Sequence, residues 1–411
     1  MASHTKRGWD DLAIFTGIPA FSQPLHVGRP NIGNRERLIE RIHGVFDRRW
    51  LTNNGPLVQE FEAALAAYLG VKHCIAVCNG TVALEIAIRS LGLRGEVIVP
   101  SFTFIATAHA LQWQQITPVF CDVDPKTHTL DPLMVEKRIT PRTTGIVGVH
   151  LWGQPCAIDR LGRIAERHNL QLLFDASHAF GCSSGGKMIG NFGRVEVFSF
   201  HATKFFNTLE GGAVATNDDG LAKDIRSMKN FGFGPGYDNV LQIGTNGKMN
   251  ELSAAMGLTG LENLSEFLAV NRRNYNAYRR GLRGISGIRL FEYNGSEDCN
   301  YQYVVLEIDA DETGIARDEL VRMLHAENVL ARRYFHPGCH RMEPYATLFP
   351  EAGRNLPETE ALSERVLVLP SGTAVGEEEA DAICHLLKLA VANSNRLFRT
   401  AAGPLRLAAR R

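Results

Sequence analysis

The feature that most constrains the fold of this chain is the alternation of short apolar segments with helical ones over its first two thirds. Strand-like segments occur at 96–100, 116–123, 144–151, 170–176, 195–200 and 211–216. They are apolar on both faces and bounded by Gly, Pro or Asp, and helical segments such as "TVALEIAIRSLG" and "AIDRLGRIAERHN" separate the earlier ones. This pattern predicts an α/β domain with a mostly parallel sheet and helices on both faces.

The pattern changes near residue 250. A long, bent helical stretch covers 250–284 and is followed by "YQYVVLEI", a helix near "ARDELVRMLHAEN", the segment "VLARRYF" and a last helix in "GEEEADAICHLLKLAVAN". Shorter mixed units of this kind are typical of an α+β domain. We therefore divide the chain into a large domain at 1–265, which includes the N-terminal segment, and a smaller C-terminal domain at 266–411.

Composition excludes several classes of partner. Lys plus Arg equals Asp plus Glu, 44 each, so no net charge favours nucleic acid or a membrane surface. No run approaches the roughly 18 apolar residues of a membrane span, and the polar start "MASHTKRGWDD" does not resemble a secretory signal. Eight cysteines without a C-x-x-C pair predict reduced thiols, no metal site and a cytoplasmic protein. The basic tail "NRLFRTAAGPLRLAARR" is expected to be frayed.

Two unusual residue sets lie where strands end or helices begin. In "LQLLFDASHAFG", Asp175 is either a helix N-cap or a buried carboxylate that faces a cationic ligand group. In "CNGTVALEIAIRSLG", Gly80 and Thr81 open a helix. They either belong to a simple cap, made by Asn79 or Thr81, or they bind a phosphate at the helix N-terminus. Ligands of open parallel sheets lie outside the carboxyl ends of the strands, where both sets are predicted.

Aromatic residues and a lysine occupy similar positions. Phe102 and Phe104 follow the strand "EVIVP" and either fill the core or stack on a planar ligand. Lys204 ends "VEVFSFHATK", and a lone lysine there would merely extend to solvent. Taken together, a lysine, a strand-end Asp, a phosphate site and an aromatic ring fit pyridoxal 5′-phosphate (PLP). Lysine forms a Schiff base with PLP, and the carboxylate keeps its pyridine nitrogen protonated.

The chain resembles a known family, the DegT-type nucleotide-sugar aminotransferases of PLP fold type I. The resemblance extends from "FTGIPAF" to "RVLVLPSGTA" and includes "WLTNNGPLVQEFE", "CNGTVAL", "PSFTFIATAHA", "FDASHAFG", "EGGAV" and "GTNGKMNELSAA". "HVGRPN", "GVHLWGQPCA", "EVFSFHATK", "NFGF" and "YFHPGCHRMEPY" are similar to the dTDP-4-dehydro-6-deoxyglucose 4-aminotransferases of antibiotic deoxysugar pathways. The resemblance implies a mostly parallel seven-stranded sheet flanked by helices.

The resemblance also implies roles for individual residues. Lys204 would hold PLP as a Schiff base, and Asp175 would pair with the pyridine nitrogen. The other cofactor contacts that it implies are His178 beside the ring's 3-oxygen, Phe104 on the ring face, and Gly80, Thr81 and Ser199 at the phosphate.

Further implied residues lie elsewhere in the chain. Asn246 in "GTNGKM" matches an asparagine that reaches the phosphate from the neighbouring subunit, which implies a homodimer with shared active sites. Tyr334 and His336 in "YFHPGC" are candidates for substrate binding. Two positions depart from the family, which often has Gln at the position of His178 and commonly Arg at that of Lys248. A lysine lacks the bidentate fork of arginine, so Lys248 receives no role.

The implied reaction takes the amino group of L-glutamate, passes it through pyridoxamine 5′-phosphate and delivers it to C4 of dTDP-4-dehydro-6-deoxy-D-glucose. The sequence leaves open amination at C3 and a UDP- or GDP-linked sugar. A sugar 3-dehydratase would carry His at the anchoring position, so Lys204 argues against it. A PLP-fold regulator without catalysis is the alternative from another class, and an absorbance spectrum would distinguish it.

Overall fold

A computed structural model describes residues 4–236 and 238–397 of the chain. Most of the basic tail therefore lies outside the described residues. The strands are β1 Leu25–His26, β2 His73–Val77, β3 Glu96–Pro100, β4 Thr117–Cys121, β5 Thr143–Val149, β6 Gln171–Asp175, β7 Ser183–Ser184, β8 Lys187–Met188, β9 Val195–Ser199, β10 Gly212–Thr216, β11 Ile288–Leu290, β12 Val304–Ile308, β13 Val329–Leu330 and β14 Val366–Leu369.

The α-helices cover the faces of the sheets and link the strands. They are α1 Ala13–Thr16, α2 Arg35–Arg48, α3 Pro56–Leu69, α4 Gly80–Ser90, α5 Ala106–Gln112, α6 Pro132–Arg138, α7 Ile158–Arg167, α8 Asp219–Met228, α9 Glu251–Glu262, α10 Leu264–Gly281, α11 Ala310–Thr313, α12 Arg317–Ala326, α13 Tyr345–Leu348, α14 Pro357–Arg365, α15 Glu377–Ala392 and α16 Ser394–Leu397. Within the described part of the chain, no helix combines the length and the apolar character that crossing a membrane requires.

The central sheet has seven strands in the order β2-β10-β9-β6-β5-β3-β4. Neighbours pair in parallel except at β10, which runs antiparallel to both β9 and β2. The predicted α/β class with a mostly parallel sheet is therefore confirmed. Apolar side chains from both faces of the sheet are buried against helices in separate core clusters, as expected for strands without a polar face.

The structure departs from the sequence prediction in one strand of the central sheet and in one helical stretch. Strand β2, "HCIAV", was not predicted from the sequence, and it pairs with β10 at the edge of the central sheet. The helical stretch at 250–284 is two helices that meet at Asn263. The side-chain oxygen of Asn263 accepts a hydrogen bond from the backbone N–H of Asn34, 3.0 Å away, which is a contact between distant parts of the chain.

The C-terminal part of the chain contains a three-stranded antiparallel sheet of β11, β12 and β14. We call this sheet and the core packed against it the smaller unit. Its core also contains residues from the N-terminus, including Leu12, Phe21 and Leu25, and β1 pairs in parallel with β13. The buried carboxylate of Glu327 accepts hydrogen bonds from the backbone N–H groups of Ala13 and Ala20. The N-terminal segment thus packs on the smaller unit, while the division at residue 265 stays a prediction.

Candidate active site

A cavity of about 630 Å³ opens at the carboxyl ends of the central strands. Val149, Asp175 and Ser199, the last residues of β5, β6 and β9, all line it. In a parallel sheet these strand ends meet at one edge, and the chain leaves that edge in loops that carry side chains toward a common centre. The position therefore follows from the topology of the sheet.

Lys204 lies in the loop that follows β9 and lines the cavity. Its Nζ is 3.2 Å from the hydroxyl oxygen of Tyr303, which immediately precedes β12 of the smaller unit. Burial lowers the pKa of the Lys204 ammonium to about 8, and the negative charge of Asp175 opposes this shift without cancelling it. The amine is therefore a usable base close to neutral pH.

Asp175 ends β6 and is 5% exposed. One carboxylate oxygen accepts a hydrogen bond of 2.9 Å from the Thr107 hydroxyl, and the other accepts one of 3.1 Å from the backbone N–H of Ser177. No helix begins after Asp175, so it is not the N-cap that the sequence left open. The carboxylate is held in a fixed position at the cavity wall.

The start of helix α4 forms another part of the wall. Asn79 is the N-cap, and its side chain accepts from the Val82 N–H at 2.8 Å. The N–H groups of Gly80 and Thr81 precede the first intrahelical bonds and have no partner within the helix. A Cβ at Gly80 would lie 2.8 Å from the Cβ of Ser199, so only glycine allows this close approach. The result is an anion cradle formed by a helix N-terminus and a strand end.

His178 follows β6 by three residues and is enclosed by aromatic rings. Its centroid is 4.6 Å from that of Tyr303, and it stacks on Trp152 and Phe335 at 5.9 Å and 6.0 Å. Burial lowers the pKa of His178 well below its ordinary value, and the nearby charge of Lys204 acts in the same direction. The imidazole is therefore neutral at physiological pH.

The two phenylalanines after β3 differ sharply in exposure. Phe102 is fully buried in the core, whereas Phe104 is 58% exposed and lines the cavity.

Of the two residues predicted to bind substrate, Tyr334 lines the cavity, but His336 does not. The Nδ1 atom of His336 is 3.3 Å from a carboxylate oxygen of Glu364, so this ring is turned to another partner.

Asn246 does not line the cavity of its own chain. Its backbone forms an antiparallel bridge with Asn230 on a separate loop. Nearby, the ammonium of Lys248 lies 4.4 Å from the centroid of the Phe231 ring, and burial lowers the pKa of Lys248. A contribution of Asn246 to the cavity thus stays a prediction that requires a second chain.

Three residues that contribute to the site were not predicted from the sequence. Thr107 orients Asp175, Tyr303 contacts Lys204, and Phe335 stacks on His178. Tyr303 and Phe335 come from the smaller unit, so no short-range sequence pattern connects them to the central sheet. Thr107 lies one helical turn from Phe104 at the start of α5, and this spacing was the available signal.

The residues present fit PLP. The cavity contains an amine with a lowered pKa, a buried carboxylate and a glycine-lined anion cradle, and an exposed aromatic ring forms part of its wall. These groups match, in order, the aldehyde, the pyridine nitrogen, the phosphate and the ring of that molecule.

Comparison with known proteins agrees with this geometry. The model of the DegT/DnrJ/EryC1/StrS aminotransferase family matches residues 33–388 of the chain. The chain belongs to this family and is a PLP-dependent aminotransferase.

Individual relatives narrow the similarity. The chain is 37% identical, over 85% of its length and 94% of the relative's, to a dTDP-4-amino-4,6-dideoxy-D-glucose transaminase of Shigella dysenteriae. It is 36% identical to a GDP-perosamine synthase of Caulobacter vibrioides, over 88% and 97% of the two chains. Among solved structures, DesI in the presence of its TDP-sugar product is 48% identical with a TM-score of 0.91, covering 96% of this chain and all of that one.

Proposed function

We propose that the protein transfers the amino group of L-glutamate to the 4-keto carbon of a nucleotide-linked 4-keto-6-deoxy sugar. The favoured substrate is dTDP-4-dehydro-6-deoxy-D-glucose, which gives dTDP-4-amino-4,6-dideoxy-D-glucose. The observation that carries the proposal is the cavity that joins the Lys204 amine, with a pKa of about 8, to the buried Asp175 carboxylate. The 48% identity to DesI, which was solved with a TDP-sugar product, supports the choice of sugar.

Several residues would hold the cofactor. Lys204 would bind its aldehyde, Asp175 would face its pyridine nitrogen, and Gly80, Thr81 and Ser199 would bind its phosphate. Phe104 would cover the ring, and His178 would face its 3-oxygen. When bound, PLP supplies an electron sink that stabilises negative charge developing on the carbon that loses or gains a proton.

The chain's own groups then handle the proton. The Lys204 amine, once free, would remove a proton from one carbon and return it to another as general base and acid. Its pKa of about 8 leaves both protonation states accessible near neutral pH. The Tyr303 hydroxyl, 3.2 Å from Nζ, is placed to hold the amine in the cavity between these two tasks.

The proposal includes a homodimer in which Asn246 completes the phosphate site of the neighbouring subunit. Asn246 follows a segment that exposes four large apolar side chains, namely Phe231, Val240, Leu241 and Ile243, each at least 47% exposed. A second copy of the chain would cover such a surface.

All eight cysteines are free thiols, which suits the proposed cytoplasmic location. A role in antibiotic deoxysugar synthesis is the setting we propose for the reaction.

The decisive experiment is turnover of a panel of sugars with L-glutamate. The panel contains dTDP-4-dehydro-6-deoxy-D-glucose, its UDP- and GDP-linked counterparts and a 3-keto isomer, and NMR of each product locates the new amine. We expect the highest kcat/KM for the dTDP-linked 4-keto sugar. Preferred amination at C3, or no turnover of any 4-keto sugar, would contradict it.

A GDP-linked sugar is the second candidate, because the GDP-perosamine synthase relative is nearly as similar as the dTDP transaminase. The same panel separates the two, since only the nucleotide differs. A protein without catalysis is tested by the absorbance spectrum, in which a lysine-bound PLP absorbs and an empty cavity does not.

A further inference from the structure

A chain of hydrogen bonds runs from the surface of the smaller unit to His178 at the cavity. It contains two histidines and one tryptophan, and these three residues are nearly or fully buried. His128 and Trp152 are both 0% exposed, and His178 is 7% exposed. Because the donors and acceptors in this chain are fixed chemically, the protonation of each imidazole can be deduced.

The hydrogen bond at Nδ1 of His178 determines where the proton of this ring lies. Its Nδ1 accepts a hydrogen bond from the backbone N–H of Trp152 at 3.3 Å. A backbone N–H can only donate, so Nδ1 carries no proton, and the proton of the neutral ring must be on Nε2. Within the described part of the chain the only hydrogen bond of the His178 ring is the one to Nδ1, and His178 lines the cavity, so the Nε2–H is available to a cavity ligand.

The backbone conformation and side-chain contacts of Trp152 hold its N–H in place. Trp152 has φ 62° and ψ −3°, a left-handed conformation that an aromatic residue adopts only when its surroundings stabilise it. Its indole N–H donates to Nδ1 of His128 at 3.2 Å, and its ring stacks on Phe335 at 5.3 Å. These contacts fix both the side chain and the peptide that faces His178.

The contacts of His128 determine its protonation in the same way. Because the indole can only donate, Nδ1 of His128 is the acceptor and its Nε2 carries the proton. Nε2 donates to Glu307, 3.1 Å away, on β12 of the smaller unit. The other oxygen of Glu307 is held by Arg289 and Arg365 at 2.7 Å and 2.9 Å. These ion pairs keep the carboxylate charged and therefore an acceptor.

We propose that Glu307, His128 and Trp152 are positioning residues that hold His178 as a neutral imidazole with its proton on Nε2. This ring then presents one N–H donor to an oxyanion in the cavity. The interpretation of that oxyanion as the 3-oxygen of PLP rests on the proposed function. The assignment of the proton to Nε2 does not, because it follows from the contacts of the protein alone.

The first experiment measures the proton directly on cofactor-free protein labelled with ¹⁵N-histidine. Long-range ¹H–¹⁵N correlation spectra distinguish the two neutral forms of an imidazole, and His178→Gln identifies the signals of His178 by their loss. We expect a single Nε2–H form for His178. A proton on Nδ1, a mixture of both forms or a charged ring at pH 7.5 would overturn the proposal, whatever reaction the enzyme catalyses.

The second experiment breaks the chain at His128. His128→Phe removes the acceptor of the indole N–H, so His178 should become a mixture of both neutral forms, and kcat should fall about tenfold. Glu307→Gln is the conservative control, because its amide oxygen still accepts from His128, so the Nε2–H form of His178 should persist.

A double-mutant cycle separates positioning from general loss of structure. In the His178→Gln variant, the glutamine side chain has an NH₂ donor and a C=O acceptor that cannot exchange a proton. The state of this side chain therefore no longer depends on His128, and adding His128→Phe should lower kcat less than about twofold. An equal loss in both backgrounds would mean that His128 has only a structural role. If His128→Phe does not fold, the protonation of His178 in the wild-type protein still decides the proposal.

Discussion

At the scale of single residues, the state of Lys204 depends on a competition between burial and charge. Burial lowers its pKa and the Asp175 carboxylate raises it, and burial dominates, giving a value of about 8. Roughly a tenth of the amine is then neutral at pH 7, compared with a few parts in ten thousand for an ordinary lysine. A nucleophile and proton carrier therefore exists at this position without help from another base.

This competition predicts how attachment of PLP depends on pH. In cofactor-free protein, the rate of PLP incorporation, trapped with borohydride and located by peptide mass analysis, should rise with pH and level off above about 8. The rise follows because only the deprotonated amine attacks an aldehyde. Lys204→Ala should remove the label and leave the fold intact. A label on any other lysine would refute the assignment of Lys204.

The second residue prediction concerns Asp175. Asp175→Asn keeps the shape but loses the charge, so we expect a folded protein that binds PLP and loses turnover by several orders of magnitude. The pH midpoint of labelling at Lys204 should also fall, because the charge that raises its pKa is gone. Thr107→Val, which removes only one hydrogen bond to the carboxylate, is the control and should lose far less. A tenfold loss of kcat corresponds to about 1.4 kcal/mol of activation free energy. If Asp175→Asn lost less than this, the proposed role of Asp175 would be wrong.

At the scale of elements, some neighbours in the site can be predicted from the sequence and others cannot. Asp175, Ser199 and Lys204 were predictable as neighbours because parallel strands end at the same edge of a sheet. Tyr303 was not, since it reaches Lys204 only through the packing of the smaller unit on the larger one. Asn263, where α9 and α10 meet, likewise contacts a residue distant in sequence, Asn34. Patterns within a segment do not contain such information.

The approach of α4 to β9 gives an element-scale prediction. Gly80→Ala adds a Cβ that would lie 2.8 Å from that of Ser199, forcing apart the helix start and the strand end that form the anion cradle. We expect PLP affinity to fall at least about tenfold, roughly the free energy of one hydrogen bond.

Gly162→Ala in α7 is the matched control, because no atom outside the local backbone of its own helix lies within 4 Å of the added Cβ. It should bind PLP normally and unfold at the same or a slightly higher temperature, since alanine favours helix. The dissociation constant of PLP for each variant can be measured by equilibrium titration of the cofactor-free protein. Equal affinity of the two variants would exclude the cradle.

At the scale of the whole molecule, the described chain leaves part of its apolar surface uncovered. Phe231, Leu241 and Ile243 are exposed on the loops that precede Asn246, and Phe104 is exposed at the cavity mouth. Three of these four side chains lie within the single segment 231–243, and a contiguous apolar patch of this kind marks an interface. A two-fold dimer that covers them would bring a second chain close to the cavity, as the proposed role of Asn246 requires.

The last prediction tests this shared site with hybrid dimers. Lys204→Ala and Asn246→Ala proteins are mixed under conditions in which subunits exchange. If Asn246 acts across the interface, one site of each mixed dimer carries both lesions and the other is intact. Activity should therefore rise above that of either parent, toward half of wild type per mixed dimer.

Lys204→Ala mixed with Asp175→Asn provides the control for this experiment. Both lesions would lie in the cavity of their own chain, so every site of that mixed dimer keeps one lesion and no activity should return. If mass spectrometry shows exchange in the first mixture and activity stays at the level of the parents, Asn246 acts within its own chain or has no role. Full activity of a monomer, established by light scattering at the assay concentration, would contradict the shared site directly, because a single chain leaves Asn246 outside the cavity.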